Sequence, residues 1–559
     1  MHEAIGNLNA LRGAHSLRFG VDLRFRGSGE TASPPGESAF GRWNFDPSYT
    51  RNPASPGGTG DAIATMLLGF PIALRRDVFL PGSAYLHTNE LNFYVKDDWR
   101  ITSRLTINLG LHYEINTPFR EVDNKWANFD PARARVLIAD QPGVSPTANV
   151  MTDYKAIGPR IAFAWQATAK TVIRGGYGIF YDPQGNAGTS IRQFRQPPFD
   201  FVLNIPQSGN DVPTLSTATG MPIVTTSPDL SQGTAATYAL RGITPDFRNS
   251  QVQQFNFSAQ RELSRDTVLT VGFVGSAGAH LTWSRDINRP DPGPGAIDGR
   301  RPYHNVLPSV SSIAWLESSG NSFFSSLQTS FEKRLGRGLS VLSNWTWSHS
   351  LDNSYAEGGS PGPTPQDPKN RRVDWSSSVS DLRHHVNIAA TYQLPFGPGK
   401  PFASGKRAAS YLLRDWEIGG IAVMQSGLPF TVSYSGSPSN TGAGTRANPV
   451  PGADPYPQHQ TIGQWFNPAA FTTPPAFTYG TLGRNTLNGP ALYNLDSSVS
   501  RKFAWSENRA LTFRWEVFNA LNHPQFGLPA ATVGVGSAGT ITSTQRANRQ
   551  MQFALRLSF

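Results

Sequence analysis

The chain alternates apolar and polar residues with a period of two in many separate segments. The clearest is 104–116, where one parity is apolar and the other is mostly polar. The apolar set is Leu105, Ile107, Leu109, Leu111, Tyr113 and Ile115, and the other set is Thr106, Asn108, Gly110, His112 and Glu114. Successive side chains of a β-strand point to opposite faces, so this segment is predicted to be an amphipathic strand.

Two segments near the C-terminus repeat the pattern, at 511–517 and at 551–559. Weaker versions occur at 16–26, 88–100, 158–168, 171–182, 251–263, 266–276, 321–335, 338–350, 383–395, 413–427 and 491–503. Several are long enough for a tilted strand to cross a bilayer, and together they predict about fourteen to seventeen strands.

The predicted connections alternate in length. Short ones, such as Ala169-Lys170 and Leu263-Ser264-Arg265, join paired strands. Long stretches rich in Pro, Gly and Ser cover 28–60, 118–153, 183–250, 286–320, 351–382 and 435–490. Short turns at one end and long loops at the other are typical of outer-membrane barrels, so the long loops are expected to face outside the cell.

Alternation alone also fits a soluble β-sandwich. Two features favour a barrel with a wet interior. The polar parity keeps Asn, Gln, Glu, Arg and His, and aromatic residues recur near predicted strand ends, as an interfacial girdle requires. These aromatic residues are Tyr94, Trp99, Tyr177, Tyr181, Trp345 and Trp347.

Composition supports many strands joined by turns, with 11% aromatic residues, 16% charged residues, 54 glycines and 44 prolines. The net charge of +10 comes from 40 arginines and nine lysines that are scattered along the chain. Without a dense basic run nucleic acid is a poor partner, whereas anionic lipid headgroups suit scattered arginines. The absence of cysteine excludes a thiolate metal site, a disulfide framework and a cysteine nucleophile.

No segment predicts a transmembrane helix, because the longest apolar stretch, 62–74, is short and contains Pro71. The first twenty residues, MHEAIGNLNALRGAHSLRFG, lack the cationic and apolar regions of a secretory signal. For an exported protein this suggests that the front of the gene product is missing.

Two groups of residues are candidates for chemistry. Asp381, His384 and His385 suggest a metal site, but adjacent strand residues point to opposite faces, so both histidines cannot easily bind one ion. His349, Asp352 and nearby serines suggest a hydrolytic triad, but no G-x-S-x-G elbow accompanies them. We therefore expect no catalytic, metal or cofactor site, and no enzyme.

Two further segments have structural interpretations. Residues 174–178, RGGYG, are glycine-rich but lie inside a predicted strand, so they lack the helix that cradles a phosphate. Glycines there would let a barrel strand bend or let an element inside the barrel approach. The segment 61–70, DAIATMLLGF, is predicted to be a short helix packed in a loop.

Several runs resemble the barrel domain of Oar-like TonB-dependent transporters, over about 15–559. They are LNFYVKDDWRITSRLTINLGLHYE (91–114), GPRIAFAWQ (158–166), TVIRGGYGIFYD (171–182), FEKRLGRGLSVLSNWTWSHSLDN (331–353) and FRWEVFNALNHPQFG (513–527). Phe559, at the end of an alternating strand, resembles the terminal aromatic residue that barrels present to their assembly machinery.

The resemblance implies a 22-stranded barrel in the bacterial outer membrane, with a plug domain, a carboxypeptidase-regulatory-like domain and a signal peptide before it. None of these is evident, nor is a TonB box, so residues 1–559 are expected to be an all-β, incomplete transmembrane barrel that begins inside the barrel domain. Expected partners are outer-membrane lipid and lipopolysaccharide, the barrel assembly machinery, TonB through the missing plug, and a large nutrient whose contacts are unknown.

Four functions remain open at this point. The first is uptake of a large nutrient, such as an oligosaccharide, peptide or chelate, with TonB-derived energy. The second is a structural or adhesive surface protein that performs no import. The third is an outer-membrane hydrolase, which would need Ser, His and acid residues on adjacent strands. The fourth is a soluble glycan-binding protein, which would stay in solution without detergent.

Overall fold

A computed structural model describes residues 1–30, 41–55, 58–182, 193–206, 212–233, 237–336, 338–353, 365–397, 400–402, 414–506 and 509–559. In these residues the main sheet has 18 strands, of which fifteen are long and are called the wall strands. They are β1 (His2–Arg12), β2 (His15–Glu30), β3 (Ala84–Thr102), β4 (Leu105–Asn116), β5 (Asp153–Thr168), β6 (Thr171–Asp182), β7 (Ser250–Ser264), β8 (Thr267–Asp286), β9 (Val310–Gly336), β10 (Leu339–Asp352), β11 (His384–Gln393), β12 (Trp416–Gln425), β13 (Leu492–Ala504), β14 (Ala510–Phe518) and β15 (Gln550–Ser558).

Each wall strand pairs antiparallel with the next wall strand along the chain. Among the described residues β1 pairs only with β2, and β15 only with β14, so the sheet is open. The fold class is therefore confirmed as all-β, with one large antiparallel sheet. Every predicted strand has a counterpart among the wall strands.

Strand β1 is the wall strand that the pattern did not predict. Its two faces do not differ clearly in polarity, because Ala4, Gly6 and Ala10 share one parity, while Ile5 and Leu11 lie among the polar residues of the other. Because small side chains differ little in hydropathy from their polar neighbours, the two parities of β1 do not show a clear alternation.

From β2 onward, the register places the apolar parity of the wall strands on one face of the sheet and the polar parity on the other. Leu111, for example, lies between Val95 and Pro159, while Gly110 lies between Lys96 and Arg160. Of the predicted girdle residues, Tyr94 is the exception. It shares the polar face with His112, and its ring stacks on the imidazole with centroids 5.9 Å apart.

The connections confirm the predicted alternation in length with one exception, because the β11–β12 connection, 394–415, is long although it belongs to the short-turn end. Short turns follow β1, β3, β5, β7, β9 and β13, and long connections join β2 to β3, β4 to β5, β6 to β7, β8 to β9, β10 to β11, β12 to β13 and β14 to β15. The last of these, 519–549, was not predicted as a loop. The predicted loop 286–320 is too long, since β9 begins at Val310 and pairs there with Tyr238–Ile243 as well as with β8.

Parts of the predicted loops 28–60, 183–250 and 351–382 lie outside the described residues, as does residue 413 of the predicted strand 413–427. The described loop residues contain short strands: Arg42–Asn44, Ala73–Phe79, Arg120–Glu121, Ala127–Asp130, Arg135–Ile138, Asp200–Pro206, Tyr238–Ile243, Ser376–Ser377, Pro429–Phe430, Ser433–Tyr434, Thr445–Arg446, Asn448–Pro449, Phe471–Thr472, Leu487–Asn488 and Thr532–Val533. They also contain 3-10 turns at Pro47–Tyr49, Thr217–Thr219, Asp298–Arg300, Arg371–Asp374 and Pro468–Ala470.

The predicted helix in 61–70 is confirmed as α1, Ala62–Leu68. The Asp61 carboxylate accepts hydrogen bonds from the backbone N–H groups of Ile63 and Ala64, and Gly69 ends the helix at φ 75°. Both are standard ways to satisfy the free backbone groups of a helix. Among the described residues, no helix has the length and apolar content needed to cross a membrane.

The loops pack into small hydrophobic cores, a set that we call the loop cap. The largest core contains Phe430, Val432, Ala447, Phe466, Ala470, Phe471, Leu487 and Val533, so it joins the β12–β13 loop to the β14–β15 loop. A second core joins three loops around Trp126 and Phe194. The described parts of these connections thus contain folded cores with buried aromatic side chains.

Candidate functional site on the polar face of the wall

Side chains of β2 to β7 surround a cavity of about 600 Å³ on the polar face. The side chains of the polar face that line this inner-wall cavity include Arg18, Tyr94, Lys96, Asn108, His112, Arg160, Phe180, Gln254 and Asn256. Each of these residues falls on the polar parity of its strand, so strand alternation alone brings them together. The volume is within the range that small-molecule sites occupy.

Glycines create part of this space. Gly110, Gly176 and Gly178 also line the cavity, on β4 and β6. A Cβ atom on Gly178 would lie 3.0 Å from the Phe180 ring and 3.3 Å from the Arg160 side chain. The segment 174–178 lies inside β6, as predicted, and two of its glycines keep the polar face clear of side chains.

The cavity combines cationic, amide and aromatic groups. The Arg160 guanidinium lies 4.4 Å from the centroid of the Phe180 ring. The Lys96 ammonium lies 3.0 Å from the Asp98 carboxylate, which also accepts a hydrogen bond from the Asn108 amide. Within the described residues no carboxylate lies within ion-pair distance of Arg160, and its Nε is buried without a hydrogen-bond partner. Arg160 is therefore suited to bind an acceptor group of a ligand.

The structure does not bring the predicted metal candidates together. His384 lies on the apolar face, where its ring stacks on Trp345 with centroids 6.1 Å apart. His385 points to the polar face and bonds to the Asn387 amide at 2.7 Å. Asp381 accepts a hydrogen bond from the backbone N–H of Ser350 and pairs with Arg383.

The suggested triad also has the wrong geometry. The His349 Nε2 atom accepts a hydrogen bond from Arg383 at 2.8 Å, and the same atom lies 3.4 Å from the Ser377 hydroxyl and 3.9 Å from Asp381. A triad needs the acid on one ring nitrogen and the nucleophile on the other. Asp352 is engaged elsewhere, in an ion pair with Arg484.

Two buried ion pairs hold the loop cap, one to the end of wall strand β10 and the other between two loops. Arg484 pairs with Asp352 and also donates to the Asp352 carbonyl at 2.7 Å, across 132 residues of sequence. Arg446 pairs with Asp374 at 3.2 Å, and both side chains are about nine-tenths buried. Burial raises the pKa of Asp374, and the two arginines nearby oppose that shift.

A third charged cluster holds two other loops together. Asp77, on the strand Ala73–Phe79, and Asp200, on the paired strand Asp200–Pro206, share the Arg195 guanidinium at 3.7 Å and 3.1 Å. Burial and the neighbouring Asp77 carboxylate raise the pKa of Asp200 to about 7. One guanidinium is then insufficient to keep both carboxylates ionised at neutral pH.

Sequence reasoning did not single out the lining residues of the inner-wall cavity. The signal that locates them is parity, because Arg160 alternates with Ile161 and Phe163, and Asn108 with Leu109. The side-by-side placement of β2 to β7 follows from the order of the strands. The contacts between loops join residues that are distant in the chain, so no local sequence pattern predicts them.

The family "outer membrane beta barrel domain" matches residues 2–552. No curated protein matches the chain.

Similar solved structures include the outer membrane transporter YddB from Escherichia coli, at 11% identity and a TM-score of 0.49, covering all of this chain and 54% of that one. The ferric enterobactin receptor PfeA from Pseudomonas aeruginosa, at 12% identity and a TM-score of 0.47, is likewise covered over 53% of its length. The siderophore receptor PirA from Acinetobacter baumannii has 8% identity and a TM-score of 0.45, with 54% covered. The chain thus spans about half the length of the solved structures it matches.

Proposed function

Because the chain belongs to the outer membrane β-barrel domain family and hence to the bacterial outer membrane, we propose that it forms the barrel wall of a TonB-dependent transporter that imports a large nutrient. In this proposal residues 1–559 act as one barrel-wall domain. The polar face lines the interior, the apolar face contacts lipid, and the loop cap receives the nutrient outside the cell.

The observation that carries the proposal is the inner-wall cavity. Here Arg18, Lys96 and Arg160 meet amides and aromatic rings around a space of about 600 Å³ on the polar face. Amide groups and cations together suit a ligand rich in hydroxyl, carboxylate or chelating oxygen atoms. The resemblance of the sequence to Oar-like TonB-dependent transporters supports the same class.

TonB-derived energy would reach the nutrient through a plug domain, which is not among the described residues. The barrel assembly machinery would bind the last strand, β15, whose C-terminal neighbour Phe559 is 94% exposed. Lipopolysaccharide would contact the wall below the long loops. Transport involves no covalent chemistry by the wall, so we propose no enzymatic activity.

The test is the depletion of large compounds from a complex growth medium by the native host, measured by mass spectrometry. We expect cells that carry the protein to remove at least one compound that cells without it leave behind, and only when TonB is present. The variant Ala162→Trp, which places a bulky ring in the inner-wall cavity, is expected to slow this depletion by about tenfold, equivalent to about 1.4 kcal/mol.

The matched control is Ala164→Trp. Ala164 lies on the same strand and the same face, two residues away, but does not line the cavity. We expect it to leave depletion nearly unchanged. Equal effects of the two variants, or no compound that depends on the protein and on TonB, would contradict the transport proposal.

The alternative is a structural or adhesive surface protein, and the loop cap is the observation that favours it. Its buried aromatic residues, such as Phe466 and Trp126, give a fixed outer surface of the kind that a binding partner can recognise. This function predicts that loss of the protein changes cell adhesion or envelope shape while depletion of the medium is unaffected.

A further inference from the structure

A carboxylate lies on the lipid-facing side of the wall. Asp97 shares its parity with Phe93, Val95 and Trp99, and its cross-strand neighbours on β2 and β4 are Leu17 and Leu109. The next residue, Asp98, points to the interior, where it bonds to Lys96 and Asn108. Asp97 therefore faces lipid in a protein of the outer membrane.

The depth of Asp97 follows from its distance to the short turn after β3. Trp99 lies at the level where an aromatic girdle is expected, a few residues before that turn. Asp97 lies two residues further into the membrane, which is about 7 Å along the strand and about 5 Å along the membrane normal. At this depth the headgroups of the periplasmic leaflet meet the acyl chains.

An ionised carboxylate at this depth needs hydrogen-bond partners, because lipid supplies few. The Asp97 Oδ2 atom bonds to the His15 Nδ1 at 2.7 Å, and the His15 ring stacks on Trp99 with centroids 5.2 Å apart. The Asp97 Oδ1 atom is buried and has no hydrogen-bond partner among the described residues, so only Oδ2 is available to a lipid. The side chain remains 17% exposed on the lipid-facing side.

An apolar groove of about 400 Å³ includes Asp97 in its lining and extends over the four strands β3 to β6. Its lipid-facing lining is Val95, Leu109, Leu111, Pro159, Ile161 and Tyr177. A groove with apolar walls and a carboxylate at one end matches a molecule with an acyl chain and a cationic end. Ethanolamine phospholipids are molecules of this kind, because they combine acyl chains with an ammonium headgroup.

We propose that Asp97 and this groove form a binding site for one phosphatidylethanolamine molecule on the outer surface of the barrel. The ammonium group donates to the Asp97 Oδ2 atom, which it shares with His15, and one acyl chain fills the groove. His15 and Trp99 position the carboxylate. The site depends on the membrane location and is independent of what the interior transports.

Native mass spectrometry of the delipidated protein in mild detergent tests this site. The probes are phosphatidylethanolamine, phosphatidylglycerol and phosphatidylcholine with identical acyl chains. We expect phosphatidylethanolamine to bind about tenfold more tightly than the other two, because glycerol lacks the cation and choline cannot donate a hydrogen bond. Asp97→Asn is expected to remove this preference.

The matched control is Asp98→Asn, the neighbouring carboxylate on the opposite face, which should keep the preference. An unchanged preference in Asp97→Asn, or an equal loss in both variants, overturns the proposal. If Asp97→Asn does not fold, Ile161→Trp replaces it as the test, since it fills the groove and leaves the Asp97–His15 pair in place. A retained preference in Ile161→Trp then overturns the proposal.

Discussion

The wall and the loop cap place their large apolar side chains in opposite ways. In the wall these side chains point outward, as in Phe257, which is 53% exposed, and Ile161, which is 51% exposed. In the loop cap they are buried, as in Phe466 at 0% and Trp126 at 2%. The wall uses lipid as the solvent for its apolar face, whereas the loops fold as a water-soluble protein does.

The two regions therefore depend on different interactions. Backbone pairing between neighbouring strands holds the wall, because the apolar face gains nothing by packing against itself in lipid. The loop cap depends on hydrophobic cores and buried ion pairs between segments that are distant in sequence. Substitutions of buried side chains should consequently affect the loop cap more strongly than the wall.

The largest effect is expected for Arg484→Ala. It leaves the buried Asp352 carboxylate without its guanidinium, a loss that typically amounts to about 3–5 kcal/mol. Hydrogen exchange of the β12–β13 loop amides should rise accordingly, while exchange in the wall strands stays constant. Lys369→Ala is the control, because its ion pair with Asp291 is exposed and should contribute less than about 1 kcal/mol. Equal effects of the two variants would show that the buried Arg484–Asp352 pair stabilises the loop cap no more than an exposed ion pair does.

The second effect is a dependence on pH. The pKa of Asp200 is raised to about 7, so the folded state binds this proton more tightly than the unfolded chain does. The stability that results is fully present below about pH 4, declines as the pH rises and is lost above about pH 7, by up to about 4 kcal/mol. Hydrogen exchange of the strands Ala73–Phe79 and Asp200–Pro206, corrected for intrinsic rates, should show this decline.

Asp200→Asn sharpens that test, since an amide does not titrate. The variant should exchange as slowly at pH 8 as at pH 5, whereas the original chain should exchange faster at pH 8. A decline that persists in Asp200→Asn would mean that another group causes it.

A smaller effect is expected for Gly20→Ala in the wall. The added Cβ would lie 2.3 Å from the Tyr94 ring, so the ring must move away from its bond to Asn7. Such crowding usually amounts to about 1–3 kcal/mol. Gly6→Ala on the neighbouring strand meets only Val21, at 3.7 Å, and should be almost neutral. Thermal unfolding in detergent distinguishes the two, and an equal shift would show that the wall tolerates the clash.

The smallest effect concerns the cap of helix α1. Asp61→Ala removes the acceptor for the N–H groups of Ile63 and Ala64, which is worth about 1 kcal/mol. Exchange of the amides of residues 65–69 should increase, and Asp61→Ser should restore most of the protection. No change in Asp61→Ala would show that tertiary contacts alone hold the helix.

The sequence predicted the wall far better than the loop cap, for a physical reason. Alternation within a strand identifies both faces, and it would also have located Asp97 on the lipid side, since it shares the parity of Val95 and Trp99. By contrast, Arg484 and Asp352 are 132 residues apart, and no local pattern links them. The residues of the inner-wall cavity were partly predictable. Their parity, and so the face on which each lies, could be read from the sequence. Their grouping into one site became visible only when the strands were placed side by side.

The pairing of each wall strand with the next has a consequence for assembly. Hairpins with two-residue turns, such as β5–β6 and β7–β8, bring together residues that are close in the chain, so each can form early and add to its neighbour. The loop cap has no such early step, because its cores join segments of different loops. The order of events should therefore be hairpins first, wall next and the outer surface last, which leaves that surface free to vary without slowing the insertion of the rest.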